Sequence, residues 1–284
     1  DALDLVLGLR WSKDNKDGSG EVVNTSIHCG LVPGLICPTP SFDESNSDDE
    51  PTGTLKLVHT TDNALFYGGY TRGYKAGGFN LDRDASITST QFKPEIVDSY
   101  EIGAKITGLD GRLQLNTAVF YSTFEDYQIN EFDGISFSIT NAGEAESKGI
   151  EMELDYLINE DFGLSLGVTR LNAEYKKHPG FNSAGESLEG EPLSRAPDWS
   201  GVASLRYATQ LGEYAFSANL IAAYADDQNI GANADPEAEQ GSTTKVDAQM
   251  SLATADQNWM LTLWGKNIFE EDYNVAIFTS PLQE

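Results

Sequence analysis

The sequence predicts an all-β fold, a transmembrane antiparallel up-and-down β-barrel wall of about eleven strands. Three observations carry that expectation. Apolar residues recur at every second position, whereas the 3, 4, 7 spacing of an amphipathic helix is scarce. Short and long connections alternate, as they do in a barrel with one trimmed and one elaborated end. Runs at 95–107, 112–126, 147–158 and 214–225 exceed the globular norm of about 5–6 residues and reach the roughly 9–11 that a tilted strand needs to cross a bilayer.

Taken in order, strand-like runs fall at 3–11, 54–60, 64–74, 95–107, 113–121, 150–156, 163–173, 200–208, 214–220, 246–252 and 258–267. Alternation is plainest in Leu113-Gln114-Leu115-Asn116-Thr117-Ala118-Val119-Phe120-Tyr121. In Ile150-Glu151-Met152-Glu153-Leu154-Asp155-Tyr156 every second residue is a carboxylate. Short turns are expected at 61–63, 108–111, 159–161, 209–212 and 255–258, and long connections at 12–53, 75–93, 128–146, 176–197, 227–243 and from 268 onward. Hairpins beginning near 95, 147, 198 and 246 recur about every fifty residues. A soluble propeller has a similar period, but each of its blades needs four strands where each repeat here supplies two.

Composition narrows the function classes. The chain carries 45 acidic and 18 basic residues, a formal net charge of -27. A polyphosphate would be repelled, so nucleic acid is excluded as a partner. No stretch of about 18 apolar residues offers a membrane helix, and 10% aromatics with 27 Gly argue against disorder. The chain opens Asp1-Ala2-Leu3-Asp4, without the basic start and apolar run of a signal peptide. It stops at Pro281-Leu282-Gln283-Glu284 in a loop-like stretch. Both ends suggest a piece of something longer. Cys29 and Cys37 lie in a Gly/Pro-rich segment and read as a small disulfide in an oxidising compartment, with two free thiols as the alternative. His28, His59 and His178 do not cluster, so neither a metal site nor a cofactor is expected.

The two faces of the strands split as a bilayer demands. One carries Leu, Ile, Val, Met, Ala and Tyr. The other carries Glu101, Lys105, Gln114, Asn116, Glu151, Glu153, Asp155, Asn219, Asp247 and Gln249, which suits a hydrated or polar-plugged lumen. Trp11, Tyr121, Tyr127, Tyr156, Trp199, Tyr214, Tyr224, Trp259 and Tyr273 sit near strand ends, as interfacial girdles would require.

Several segments are more specific. Phe92-Lys93-Pro94-Glu95-Ile96-Val97-Asp98-Ser99-Tyr100-Glu101-Ile102-Gly103-Ala104-Lys105 resembles a recurrent barrel-strand signature of TonB-dependent outer-membrane receptors. Ala118-Val119-Phe120-Tyr121 with Tyr127-Gln128-Ile129, and Asn141-Ala142-Gly143-Glu144-Ala145 leading into Lys148-Gly149-Ile150-Glu151, are similar to the same family. So are Thr71-Arg72-Gly73-Tyr74-Lys75-Ala76-Gly77-Gly78-Phe79-Asn80, Pro197-Asp198-Trp199, and Leu263-Trp264-Gly265-Lys266-Asn267-Ile268-Phe269 with Asp272-Tyr273. In order, they cover most of residues 60–275. The resemblance implies a barrel of about 22 strands with an N-terminal plug. Residues 1–284 then correspond to the C-terminal part of the barrel domain, and the plug, the energy-coupling box and the last strand lie outside them.

The resemblance also implies a function. Such receptors import scarce nutrients across the outer membrane of Gram-negative bacteria, energised through TonB. The version of the pattern at 71–80 is most similar to the siderophore branch, so a ferric siderophore is the expected ligand. Cobalamin, haem or oligosaccharide cargo, a passive porin-like channel and an adhesive or phage-binding surface barrel are the alternatives. Long loops are expected outside the cell, beside outer-membrane lipid and lipopolysaccharide, with short turns in the periplasm. Their acid, including Asp43, Glu44, Asp48, Asp49 and Glu50, would then face the exterior.

No enzyme chemistry is expected. Glu151, Glu153 and Asp155 share a strand face at i, i+2 spacing and read as hydrated lumen wall rather than acid/base pairs. Asp14-Asn15-Lys16-Asp17-Gly18-Ser19-Gly20 resembles a calcium loop but places Lys13 at the first ligand position and Asn24 at the twelfth. Ligand contacts belong on the long-loop side. Arg72, Tyr74, Lys75, Phe79 and Asn80 are the candidates, since cationic, aromatic and amide groups suit an anionic or catechol-rich chelate. For Tyr74 and Phe79, girdle or loop packing is the alternative.

Overall fold

The computed structural model describes residues 1–20, 42–80, 91–132, 137–178, 187–231, 235–256 and 258–277. Cys29 and Cys37, and with them the disulfide expectation, lie outside these residues. The period-2 signal resolves into eleven long strands: β1 (Ala2–Gly20), β2 (Phe42–Thr60), β3 (Ala64–Lys75), β4 (Glu95–Gly108), β5 (Leu113–Glu125), β6 (Glu144–Leu157), β7 (Phe162–Lys177), β8 (Trp199–Leu211), β9 (Tyr214–Ala225), β10 (Thr243–Thr254) and β11 (Met260–Gly265). They form one antiparallel sheet in strict sequence order, the all-β up-and-down wall that alternation predicts. Among the described residues, β1 pairs only with β2 and β11 only with β10. Among the described residues no helix is long and apolar enough to cross a membrane, which says nothing about crossing by strands.

One connection departs from expectation. Much of 12–53 is not loop: β1 and β2 each run on as a paired ribbon, with Ser12 opposite Glu50 and Gly20 opposite Phe42. The ribbon is polar on both faces and so carries no alternation, yet strand pairing needs only backbone groups. The calcium-like stretch 14–20 is extended strand here, not a loop. A smaller hairpin, Gln128–Phe132 with Phe137–Asn141, occupies another long connection.

Register sorts the side chains. Leu5, Leu57, Gly68, Ile102, Val119 and Ile150 lie opposite one another in a continuous row across six strands. This face keeps its large apolar groups in the open, with Leu5 69% and Ile102 63% exposed. An apolar patch of that extent is built for lipid, and we call it outward. On the opposite, inward face a row runs Gln114, Asp155, Ser165, Ser204, Ile221, Asp247. Ser165 donates to Asp155 at 2.6 Å and Asn116 to Glu153 at 3.2 Å. The carboxylates of β6 are thus wall hydrogen-bonders, and all ten polar positions expected to line a lumen share this inward face.

Aromatics bracket the outward apolar band. At the short-turn end, Phe162 packs on Tyr207 (4.5 Å between centroids), Tyr207 on Phe216 (6.1 Å) and Tyr214 on Trp259 (5.8 Å). At the other end stand Trp11, Tyr70, Tyr100, Tyr121, Trp199 and Tyr224. From Tyr214 to Tyr224, ~3.3 Å per residue gives ~33 Å of strand, which a tilt of ~40° reduces to ~25 Å, the height of an outer-membrane apolar band. Two aromatics leave the expected girdle. Tyr127 turns into a packed cluster, and the Tyr273 ring lies under the Lys245 ammonium at 4.4 Å.

That cluster is the main hydrophobic core among the described residues, and it sits at the long-loop end on the inward face. Ile129, Ala142, Ala145, Ala173, Tyr175, Leu188 and Leu193 are buried together, with Phe124, Tyr127 and Leu171 against them. Phe124, Ala145, Leu171 and Tyr175 belong to the inward set of β5–β7. The hairpin and segment 187–196 therefore fold in over the mouth of the wall. Tyr175 accepts from Gly190 N and donates to Glu191 O, and Leu193 N donates to Ala173 O, so the segment extends the edge of β7. At Gly143, φ is +92° and a Cβ would stand 2.5 Å from the Lys177 carbonyl, which restricts this chain entry into β6 to glycine.

Candidate ligand rim at the long-loop end

β3 ends at Lys75, and the chain then runs along the mouth through Ala76 to Asn80. Gly78 and Phe79 pair with Phe92 and Gln91 in a short bridge. A Cβ at Gly77 would lie 2.5 Å from the Phe92 carbonyl, so the close approach of the two segments requires glycine there. The segment is held on both sides. On one, the Gly77 amide donates to the buried Asp48 carboxylate at 2.8 Å, and Lys16 donates to the Gly77 carbonyl. On the other, Asn80 pairs with the backbone of Ile139, donating to its carbonyl at 2.8 Å and accepting from its amide at 2.7 Å.

The five residues singled out by sequence thus have different surroundings. Arg72 makes an ion pair of 2.6 Å with Asp98, and the Tyr70 hydroxyl donates to the same carboxylate. By register both side chains belong to the outward face, one step above Tyr70 and Tyr100. The Tyr74 hydroxyl donates to Asp14 on the β1–β2 ribbon. Asn80 is buried and its amide is committed to Ile139. Lys75 is exposed and Phe79 half-buried, so the segment carries a cation and a ring four positions apart.

Sequence reasoning missed the residues that hold this rim. Gln128 and Asn141 stand opposite each other at the base of the 128–141 hairpin. Gln128 Nε2 donates to the carbonyls of Ala76 (3.1 Å) and Lys93 (2.9 Å), while its backbone amide donates to Glu95 at 2.8 Å. Asn141 accepts from Lys93 N at 2.8 Å and donates to Asp126 O at 2.7 Å. The Lys93 ammonium pairs with Asp126 at 3.2 Å. Burial, and after it the Glu95 carboxylate, holds the adjacent Tyr127 phenol above its ordinary pKa. A second, open concavity of about 670 Å³ lies on the inward face near the short turns, lined by Gln114, Asp155, Ser165, Arg206 and Asn219 among others. Its lining is more polar than apolar, and the Ser165–Asp155 hydrogen bond in it belongs to the wall network described above. Among the described residues no three His, Cys, Asp or Glu converge as metal ligands would.

A two-faced meander with aromatic girdles and a built-up mouth defines a wall of a membrane-spanning β-barrel. More particularly, residues 1–268 match the family described as "TonB dependent receptor-like, beta-barrel", and the chain belongs to that family. It is 24% identical over 281 residues to the pesticin receptor of Yersinia pestis, covering 96% of this chain and 37% of that protein. A probable TonB-dependent siderophore receptor, PiuA of Acinetobacter baumannii, is 24% identical over 180 residues, covering 61% of this chain and 22% of PiuA. Among solved structures, the ferric yersiniabactin uptake receptor FyuA from Yersinia pestis superposes with a TM-score of 0.76 at 19% identity, covering 96% of this chain and 39% of FyuA. The siderophore receptor PiuA from Acinetobacter baumannii gives 0.72 at 21%, covering 98% of this chain and 38% of that one. At such identities the structural likeness establishes the fold. The chain spans little more than a third of the length of these relatives.

Proposed function

We propose that this chain is the later part of the barrel of an outer-membrane receptor that imports a ferric siderophore, energised through the TonB system. Membership of the receptor-like barrel family over residues 1–268 carries the reading. Relatives described as receptors for siderophores support the ligand class. In this reading the long connections face the exterior, next to lipid and lipopolysaccharide, and the short turns face the periplasm. A plug and its coupling segment belong to the rest of the receptor. The work is recognition and passage rather than catalysis.

Ligand contact falls to the rim at 72–80. Lys75 and Phe79 touch the chelate directly, the ammonium by charge and the ring by stacking. Arg72, Tyr74 and Asn80 shape the rim through Asp98, Asp14 and Ile139. The test is direct binding of ferric catecholate, hydroxamate and phenolate complexes to the protein purified from outer membranes. One class binds, and Lys75→Ala weakens it by about fivefold, the ~1 kcal/mol of a rim charge. Tight binding of a glycan, cobalamin or haem with none of the ferric complexes overturns the ligand class. Ion conductance by the intact protein without any ligand requirement favours a passive channel instead.

A further inference from the structure

Three side-chain amides at the mouth do the work of missing backbone pairing. Asn80 meets Ile139 as one more strand residue would, donating and accepting across a 59-residue separation. Asn141 treats Lys93 the same way, accepting from its N–H at 2.8 Å and donating to its carbonyl at 3.1 Å. Gln128 adds two donations that tie Ala76 to that carbonyl. Lys93 precedes Pro94, which has no N–H to offer a neighbouring strand, so backbone pairing is interrupted there and resumes at Glu95, opposite Lys75. Gln128 is buried, and it and Asn141 bond to backbone atoms of loops other than their own, where either amide left unmatched would be costly.

We propose that Gln128 and Asn141 are positioning residues for the ligand rim, holding 75–80 and 91–95 on the 128–141 hairpin so that Lys75 and Phe79 are in place before the ligand arrives. This rests on the reading of the rim as the ligand contact. The hairpin is itself anchored through Ile129 and Ala142 in the buried cluster over β5–β7. The clamp therefore joins the rim to the wall of the barrel. Binding to a preformed rim spends no free energy on ordering it. A rim that is open for part of the time loses affinity in proportion to the competent fraction.

The chemistry demands an amide, which makes isosteric substitution the test. Gln128→Glu and Asn141→Asp keep shape and lose the donors, setting a carboxylate against carbonyl oxygens. Hydrogen exchange of the backbone amides at 74–80 and 91–95 is followed in the protein purified from outer membranes, with Gln128→Ala and Asn141→Ala beside the isosteres. Affinity for the ferric complex that the wild type binds is measured on the same samples. Gln128→Glu is expected to speed exchange at 74–80, and Asn141→Asp at 91–95, each about tenfold, and each to weaken binding by a similar factor. The thermal midpoint of the barrel stays within error. Unchanged exchange in both isosteres overturns the clamp, whatever the ligand. Faster exchange with unchanged affinity overturns the positioning role while leaving the receptor reading intact. A wild type that binds no ferric complex removes the ferric-siderophore reading and, with it, the positioning role for such a ligand, and the exchange rates still decide whether the clamp exists.

Discussion

Asp256, in the short turn between β10 and β11, illustrates how single side chains set local conditions. A hydrogen bond from the Thr254 hydroxyl, then one from the Asn258 amide, keep its carboxyl below the usual range. A carboxyl lowered in the folded state contributes stability in full above its unfolded pKa of ~3.9, and loses it as pH falls through the lower folded value. Asp256→Asn should therefore cost a little at neutral pH, and the gap to wild type should close below pH ~4. Thermal midpoints measured between neutral and acid pH check this, and a gap that stays constant removes the turn carboxylate from the account. Of the rim residues, Lys75 and Phe79 were legible as a cation and an aromatic in a connecting segment. The fate of Asn80 was not, because its partner Ile139 lies 59 positions away and no local pattern marks it.

Strands impose a different discipline, since neighbouring residues on one strand face different solvents. On β9, Leu220 is outward and 46% exposed, between Tyr214 and Tyr224, while Ser217 faces inward. Leu220→Arg should destabilise the barrel by ~2–4 kcal/mol, and Ser217→Arg by less than ~1 kcal/mol. Urea titration of the protein folded into phospholipid vesicles measures both, and equal costs would mean that the two faces do not see different media. Strand positions were readable wherever one face is apolar and the other polar, as in β5 and β6. The ribbon of β1 and β2 beyond Trp11 was not, since a fully hydrated hairpin leaves no hydrophobic period in its sequence.

The charge of -27 acts over the whole chain. Much of it gathers at the long-loop end, with Asp43, Glu44, Asp48, Asp49 and Glu50 on the ribbon, Glu189 and Glu191 over β7, and Asp226, Asp227, Asp235, Glu237 and Glu239 after β9. On the proposed reading, an anionic ferric complex approaching that mouth meets repulsion before it reaches Lys75. Its association rate should therefore rise with ionic strength between about 10 and 150 mM, where the screening length shrinks from ~30 to ~8 Å. Stopped-flow association rates at graded salt check the sign. A rate that falls with salt would instead place the local cations Lys75 and Lys93 in command of the approach.

By itself the sequence determined the eleven-strand meander, its two faces and its family resemblance. Each of these is written in local alternation, turn residues and motif order, which survive in one dimension. Only the tertiary structure decided which long connections fold in over the mouth, which side chains hold them and which stay exposed there. Those outcomes depend on hydrogen bonds and burial between segments far apart in the chain, such as Gln128 with Ala76 and Lys93 or Tyr127 with Tyr175. No local periodicity encodes such partners, because a side-chain amide satisfies whichever backbone the fold brings to it.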